Sequence, residues 1–354
     1  MLDVSGAFWP YAFNSLPSGK LVMNNDIVTS ATVVKADPQT IEYKINPGAV
    51  WSDGQPITAD DFNYTWRVMD PAQCPDCQMA NSAGYDSIES VDGSDSGKTV
   101  TVKFNKPYVA WQTLFSPFLP AHKAATYGDL KTKAGLATSF NDGFVKNVPD
   151  WSAGPFIIKT FTSDGSVVMD QNPHWFGAKK PNLKSLVFQL VSDPTQQAAA
   201  MANHEVDVLN PPNIDTDVVK QLAGIPDVGY QIAASFASHF MFLNMNAAAL
   251  KDKAIRQAIF EAVNVQNIVT KILGPYVPDP KPLTSMFFLP GQDGYQDSLS
   301  KYSYGIGDVA AATKTLQEAG YQGVGSKLKA PDGTDLPPLT FAVSAGNQVR
   351  QNEA

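Results

Sequence analysis

Apolar and polar residues alternate along residues 41–45 of the chain. Ile41, Tyr43 and Ile45 are separated by charged residues at 42 and 44, and this period of two is typical of a strand with one buried face. The triplet at 46–48, Asn-Pro-Gly, predicts the end of the strand, because proline lacks a ladder donor and glycine favours a turn.

A helical period begins a few residues later. Phe62, Trp66 and Met69 recur at spacings of four and three, which places them on one face of a helix. Thr58 is a suitable N-cap, and acidic residues at 60 and 61 suit the positive end of the helix. We therefore predict a helix after Thr58, and we interpret its two acids as first-turn residues rather than as catalytic groups.

The same periodicities predict further elements. We expect strands at 156–161, 167–170, 185–191, 206–209, 239–244 and 339–343. We expect helices before Pro117, after Asp193-Pro194, after Asp252 and after Asp308, the last followed by Gly320 as a C-terminal cap.

The composition excludes several classes of function. The 354 residues are 44% hydrophobic and 17% charged, with a net charge of −8, as in an ordinary core-forming protein. The acidic balance argues against nucleic-acid binding. We find no apolar run long enough for a membrane span, and no signal peptide at the first residues.

Catalytic and metal-binding motifs find little support. The histidines, His122, His174, His204 and His239, are far apart in the sequence, and none forms a helical metal-ligand pair. We find no nucleophile elbow and no glycine-rich phosphate or dinucleotide loop. We expect no catalytic residue, no metal site and no cofactor.

Cys74 and Cys77 form a Cys-Pro-Asp-Cys sequence in a polar loop. A loop-closing disulfide in an oxidising compartment is the interpretation that we favour. A redox pair or metal site is less favoured, because the expected strand–helix context and further ligands are missing. Free thiols are the third alternative.

Residues 51–62 read WSDGQPITADDF and resemble the signature of the family 5 extracellular solute-binding proteins, the peptide and nickel receptors of bacterial ABC importers. Further segments resemble family motifs in the same order: 85–91 with 98–104, 152–156, 171–177, 205–208, 242–244 with 255–259, and 308–321. In this family the Trp51-Ser52-Asp53-Gly54 turn shapes a surface of the first lobe rather than the ligand cleft.

The resemblance implies an α/β, two-lobed periplasmic-binding-protein-like fold of type II with an enlarged first lobe. Lobe I would span 1–243, with a strand-rich subdomain at about 41–170. Residues 244–354 would begin lobe II, which we expect to be incomplete in this chain.

The resemblance also implies a function. We expect an extracytoplasmic substrate-binding component of an ABC importer that closes on an oligopeptide or another small molecule and docks on a membrane permease. We expect a monomer with no nucleic-acid partner, anchored through a lipid on an N-terminal segment that has been removed.

Residues near the junctions that the family turns toward its cleft are the ligand-binding candidates: Trp9, Tyr11, Trp111, Trp151, Gly154, Phe240 and Asn244. Aromatic side chains offer contact area at low entropic cost. Each candidate has a plain alternative: core packing for the aromatic residues, a strand-entry turn for Gly154 and a helix cap for Asn244.

Other functions are compatible with parts of the pattern. An envelope glycolipid-binding or regulatory lipoprotein would keep the same fold. A hydrolase would require paired carboxylates at a fixed separation, and nickel or nickel-chelate uptake would require more histidine and arginine.

Overall fold

A computed structural model describes residues 2–16, 18–162, 165–191, 193–211, 216–232, 239–285, 287–290, 292, 294–344 and 348–354. The chain divides into two compact units, Met1–Leu190 (unit 1) and Val191–Ala354 (unit 2). No helix among the described residues is both long and apolar enough to cross a membrane.

Unit 1 combines antiparallel sheets with short helices. Its elements are α1 (Leu2–Ser5), β1 (Phe13–Ser15), β2 (Leu21–Met23), β3 (Val28–Ala36), β4 (Gln39–Ile45), α2 (Ala59–Met69), β5 (Ile88–Ser94), β6 (Thr99–Phe104), α3 (Ala121–Ala124), α4 (Lys133–Phe140), β7 (Phe156–Phe161), β8 (Val167–Gln171) and β9 (Ser185–Phe188).

The main sheet of unit 1 has the strand order β3-β4-β6-β5, and all of its neighbours are antiparallel. Ile41, Tyr43 and Ile45 of β4 are buried, while the residues between them are partly exposed. The predicted strand and its period are therefore confirmed. The hairpin of β5 and β6 also matches the segments singled out at 85–91 and 98–104.

Helix α2 begins as the sequence predicts. Thr58 accepts a hydrogen bond from the backbone N–H of Asp60, and the Asp61 carboxylate accepts one from the backbone N–H of Thr58. This reciprocal capping box satisfies donors that a helix start leaves unpaired. Phe62 and Trp66 are buried against the sheet core.

The second sheet of unit 1 has the order β7-β8-β9, which confirms the strands predicted at 156–161 and 167–170. The strand predicted at 185–191 is present but ends at Phe188. The helix predicted before Pro117 is wrong. Between residues 105 and 116 the chain forms a 3₁₀ turn at Trp111–Thr113 and no α-helix. Phe115 has a φ of +54°, which lies outside the right-handed helical region.

Unit 2 is helical in its described part. Its helices are α5 (Pro194–Ala202), α6 (Thr216–Ala223), α7 (Lys253–Ala262), α8 (Val265–Leu273), α9 (Val309–Glu318) and α10 (Gln348–Glu353). The aspartates at 193, 252 and 308 accept backbone hydrogen bonds at the starts of α5, α7 and α9. All three predicted helices are confirmed, and Gly320 follows α9 with a φ of +84°.

The strands predicted in unit 2 are wrong. Residues 206–209, 239–244 and 339–343 have no regular secondary structure. A strand requires a paired neighbour, and the described residues provide none for these segments. Phe242 is consequently 85% exposed and Phe341 60% exposed. Apolar runs of this length cannot show whether a pairing partner exists.

The boundary between the compact units differs from the predicted lobe boundary. The chain divides into the units after Leu190, whereas the sequence places the change of lobe at residue 243. A compact unit reflects internal packing, while a lobe boundary marks a hinge, so the division into lobes at 243 stays a prediction.

Candidate functional site

A short segment at 7–12 passes between two other segments of unit 1. The backbone hydrogen bonds that hold it include Ala12 N to Phe115 O (3.1 Å), Phe118 N to Pro10 O (3.3 Å), Ala153 N to Phe8 O (3.0 Å) and Phe156 N to Ala7 O (3.2 Å). The segment is therefore fixed on both sides, and Trp9 and Tyr11 are presented from a rigid backbone.

Trp9 is a half-buried aromatic residue with an unused donor. Its ring lies edge-on to Phe8 at a centroid distance of 5.6 Å, and its backbone N–H donates to Ser5 O at 2.9 Å. The indole Nε1 is buried and has no hydrogen-bond partner in the described part of the chain. A buried donor without an acceptor is costly, and a ligand acceptor could satisfy it only if the side chains that cover Nε1 moved.

Tyr11 is held by two contacts. Its hydroxyl donates to Ser5 Oγ at 3.3 Å, and its backbone carbonyl accepts from Asn24 Nδ2 at 3.0 Å. Burial raises the pKa of the Tyr11 phenol, against the smaller effect of the Ser5 hydrogen bond. The phenol is thus neutral at physiological pH. Sequence reasoning missed both supporting residues, since no local pattern links Asn24 to Tyr11 across 13 positions.

Trp151 and Gly154 lie inside unit 1. Trp151 is 4% exposed and contacts Phe8 and Trp51 edge-on. A Cβ on Gly154 would lie 2.4 Å from the backbone oxygen of Ala7, so this position requires glycine. Trp151 packs against Phe8, and Gly154 lies against the backbone of Ala7. Both residues therefore support the segment at 7–12, and their burial does not favour direct ligand contact.

Ser152 satisfies the turn that contains Gly154. The Ser152 hydroxyl accepts from Gly154 N at 3.0 Å and donates to the backbone oxygen of Phe156 at 2.6 Å. The backbone donors of this loop are therefore used inside unit 1. The geometry matches the alternative of a strand-entry turn.

Trp111 packs against the same core. It contacts Phe13 at 5.6 Å and Tyr43 at 6.1 Å between ring centroids, both edge-on. The side chain is only partly buried, so part of it is accessible to solvent.

The two candidates in unit 2 are exposed. Phe240 is 50% exposed and lies 6.1 Å from Phe242, centroid to centroid. Asn244 Oδ1 accepts from Asn246 N at 3.0 Å, and its backbone oxygen accepts from Ala247 N at 3.0 Å. The local role of Asn244 is thus to close a turn, and the following 3₁₀ helix is capped by Ala248 rather than by Asn244.

Buried hydrogen bonds connect the WSDG turn to α2, and α2 to α3. The indole N–H of Trp51 donates to Asp61 Oδ2 at 3.2 Å, and the backbone N–H of Ala121 donates to Asp61 Oδ1 at 2.8 Å. Burial raises the pKa of Asp61 to about 6, although its three donors oppose this shift. The expected first-turn acid therefore also joins α2 to α3 and to the turn.

The pKa of Asp53, in the same turn, is shifted in the opposite direction to that of Asp61. Its Oδ2 lies 2.9 Å from His122 Nε2, and its Oδ1 accepts from Gln55 N at 3.1 Å. Burial would raise the pKa of Asp53, but these hydrogen bonds outweigh it and hold the pKa below its ordinary value.

Cys74 and Cys77 are joined as a disulfide after the end of α2. Both residues are buried, and the Asn141 side chain holds the loop by donating to Asp76 O and accepting from Gln78 N, each at 2.9 Å. Among the residues that the structure describes, no three histidine, cysteine, aspartate or glutamate side chains are grouped to hold a metal ion.

Comparison with known protein families matches residues 23–354 to the bacterial extracellular solute-binding proteins, family 5. The chain belongs to this family. The resemblance inferred from the WSDG signature is thereby confirmed, and the family 5 proteins are extracytoplasmic and bind substrates.

Individual family 5 relatives give the scale of the similarity. Oligopeptide-binding protein OppA of Mycobacterium tuberculosis is 30% identical over 332 residues, which are 92% of this chain and 53% of OppA. LpqW of the same organism, named "Probable monoacyl phosphatidylinositol tetramannoside-binding protein", is 28% identical over 75% of this chain and 39% of LpqW. The chain thus spans about half the length of OppA.

A solved structure of a periplasmic EDTA-binding protein, EppA, superposes on this family 5 chain with a TM-score of 0.88. The two are 38% identical, and the match covers 95% of this chain and 62% of EppA. This similarity confirms the predicted α/β periplasmic-binding-protein fold of type II.

Proposed function

We propose that this chain is part of the substrate-binding component of an ABC importer and that its ligand is an oligopeptide. The proposal rests chiefly on one observation, the match of residues 23–354 to family 5. The similarity to OppA, an oligopeptide-binding protein by name, across 92% of the chain supports the choice of ligand.

Trp9 and Tyr11 are the residues of unit 1 that we assign to the ligand. Peptide carbonyl oxygens are acceptors, and the unpartnered Trp9 indole N–H is a donor that would bind one once closure uncovers its buried nitrogen. The Tyr11 hydroxyl, neutral and held by Ser5, can donate or accept. Such contacts to the backbone of a peptide would tolerate many side chains.

Of the other candidates, some would contact the ligand and some would only position the segment at 7–12. Trp111 would offer an aromatic edge, and Phe240 and Asn244 would contribute from unit 2, where both are exposed. Trp151 and Gly154 would position the segment at 7–12 without touching the ligand, since both are buried behind it.

The mechanism would be closure of two lobes about a hinge. A ligand that contacts both lobes only in the closed form shifts the population toward that form by its differential affinity. The closed protein would then dock on the membrane permease, and the ligand would leave chemically unchanged. We further propose that the protein is a monomer anchored by a lipid.

Native mass spectrometry of the protein purified from its host tests the ligand. We expect mass increments that correspond to a set of peptides, released intact after denaturation. If the bound molecules were glycolipids, as the name of LpqW describes for that protein, the peptide assignment would be wrong.

A second candidate ligand is a small chelate. EppA is an EDTA-binding protein by name and is 38% identical to this chain. Calorimetric titration with EDTA, its metal complexes and a mixture of short peptides separates the two candidates. Saturable binding of EDTA or a chelate with no heat from the peptides would favour the chelate.

A further inference from the structure

A groove of about 480 Å³ runs along one side of α2 in unit 1. It lies between α2 and the residues from α3 to Leu130. It does not include the segment at 7–12, and the function proposed above makes no use of it. All of its lining residues belong to unit 1.

One end of the groove is rich in acceptors. Asp60 is exposed in the first turn of α2, and its carboxylate has no hydrogen bond or ion pair with any described residue. Asn63 donates its side-chain N–H to Val91 O at 2.9 Å, which leaves its carbonyl oxygen as a further acceptor. Gln55 borders the same end and offers a third one.

The other end carries a cation. Arg67 lies in the last turn of α2 and is held by hydrogen bonds from Nε to Gln73 Oε1 at 3.2 Å and from Nη1 to Leu130 O at 2.7 Å. An arginine has five N–H donors, so three are left for another partner. The histidine that lines the groove, His122, is already hydrogen-bonded to Asp53.

The separation of these charges defines the length of a ligand. Asp60 and Arg67 are seven residues apart on one helix, which corresponds to about 10 Å along its axis. An extended peptide covers about 3.3–3.6 Å per residue, so three residues span about 10 Å. Pro56 and Leu130 supply apolar surface beside this path.

We propose that this groove is a second binding site, which takes a short zwitterionic peptide of about three residues. The ammonium group of the peptide would bind Asp60 with the acceptors of Gln55 and Asn63. The carboxylate would bind the remaining N–H donors of Arg67. This site is separate from the ligand contacts proposed at Trp9 and Tyr11.

Amide chemical shifts of the ¹⁵N-labelled 354-residue chain, titrated with trialanine, test the site. We expect saturable shifts at Gln55, Asp60 and the residues around Leu130. N-acetyl-trialanine and trialanine amide each lack one terminal charge. Each should bind about fivefold more weakly, since an exposed ion pair contributes up to about 1 kcal/mol.

Two matched variants complete the test. Asp60→Asn should weaken trialanine binding about fivefold and should bind trialanine and N-acetyl-trialanine equally. Asp217→Asn removes another exposed acid from the first turn of a helix, α6, and should bind like the parent chain. Equal binding of all three peptides to the parent chain would overturn the proposal.

Absence of shifts along the groove at millimolar trialanine would also overturn it. Shifts confined to the surroundings of Trp9 and Tyr11 would have the same consequence, while supporting the ligand contacts proposed for the importer function. Failure of the importer proposal, by contrast, would leave shifts at Asp60 unaffected.

Discussion

Two tryptophans of unit 1 bury an indole N–H that lacks an acceptor among the described residues, Trp9 and Trp66. Leaving a buried donor unsatisfied costs about 1–3 kcal/mol. Trp66 lies within α2 and is 9% exposed, whereas Trp9 is half-buried beside Tyr11. The two residues therefore share an unsatisfied donor but differ in the exposure of the rest of the ring.

Trp9→Phe should leave the free protein as stable as before or slightly more stable, because the substitution removes an unsatisfied donor. The same change should weaken peptide binding about tenfold if the indole N–H binds a peptide carbonyl oxygen. Urea denaturation and calorimetric titration with the eluted peptides measure both effects. Trp66→Phe is the matched control and should change peptide affinity little.

The raised pKa of Asp61 predicts that the free energy of unfolding depends on pH. Burial raises its pKa from 3.8 to about 6, so the folded protein binds more protons than the unfolded chain between these values. This contribution to stability is complete below pH 3.8 and is lost as the pH rises through 6.

Compared with Asp61→Asn, the free energy of unfolding of the parent protein should therefore fall by about 2 kcal/mol between pH 4 and pH 7. Asparagine does not titrate, although its amide nitrogen replaces one of the two oxygens that accept from Trp51, Thr58 and Ala121. Urea denaturation across this range gives the difference. Parallel stability curves for the two proteins would refute the assignment.

At the scale of elements, the segment at 7–12 depends on close packing against the turn before β7. Gly154→Ala would place a Cβ 2.4 Å from Ala7 O and 2.7 Å from the Cα of Phe8. Since backbone atoms cannot rotate away, we expect a loss of about 1–3 kcal/mol in the free energy of unfolding. Peptide affinity should fall as well, because Trp9 and Tyr11 move with the segment.

Gly229→Ala is the control for this substitution, since a Cβ at Gly229 has no atom within 4 Å. Thermal denaturation of both variants makes the comparison. Equal stability of Gly154→Ala and the parent protein would show that the segment at 7–12 is not packed as described.

In unit 2, one hydrogen bond joins the start of α7 to the residues after α9. The Tyr321 hydroxyl donates to Asp252 Oδ2 at 2.6 Å, and Asp252 also caps α7 through Ala254 N. Tyr321→Phe should reduce the stability of unit 2 by about 1.5–3 kcal/mol, the contribution of a hydrogen bond to a charged group.

Hydrogen exchange measured by mass spectrometry should show faster exchange at 252–262 in Tyr321→Phe. Tyr302→Phe, at a residue that is 53% exposed, should leave this region unchanged. Unchanged exchange in Tyr321→Phe would contradict the importance of this bond.

The elements that the sequence predicts correctly are those with local signals. A period of two marks β4, and capping residues mark α2, α5, α7 and α9. Strands at 206–209, 239–244 and 339–343 depend on a distant pairing partner, which no local pattern reveals. The site is less predictable for the same reason, because Ser5 and Asn24 hold Tyr11 through contacts that only the fold creates.

At the scale of the whole molecule, family membership carries the functional proposal. The compact units divide at Leu190, while the predicted hinge lies near residue 243. A protein that works by closure needs lobes that move about the hinge rather than about the limits of local packing. Variants near 243 that change closure without unfolding either unit would show that the lobes move about residue 243 rather than about the unit boundary at Leu190.

Small-angle X-ray scattering of the full-length protein, before and after addition of the peptides eluted from it, tests the central claim most directly. We predict a smaller radius of gyration in the presence of peptide, with the peptide recovered at its original mass. An unchanged radius of gyration at saturating peptide, or recovery of cleaved peptide, would contradict a binding protein that closes on its ligand and releases it intact.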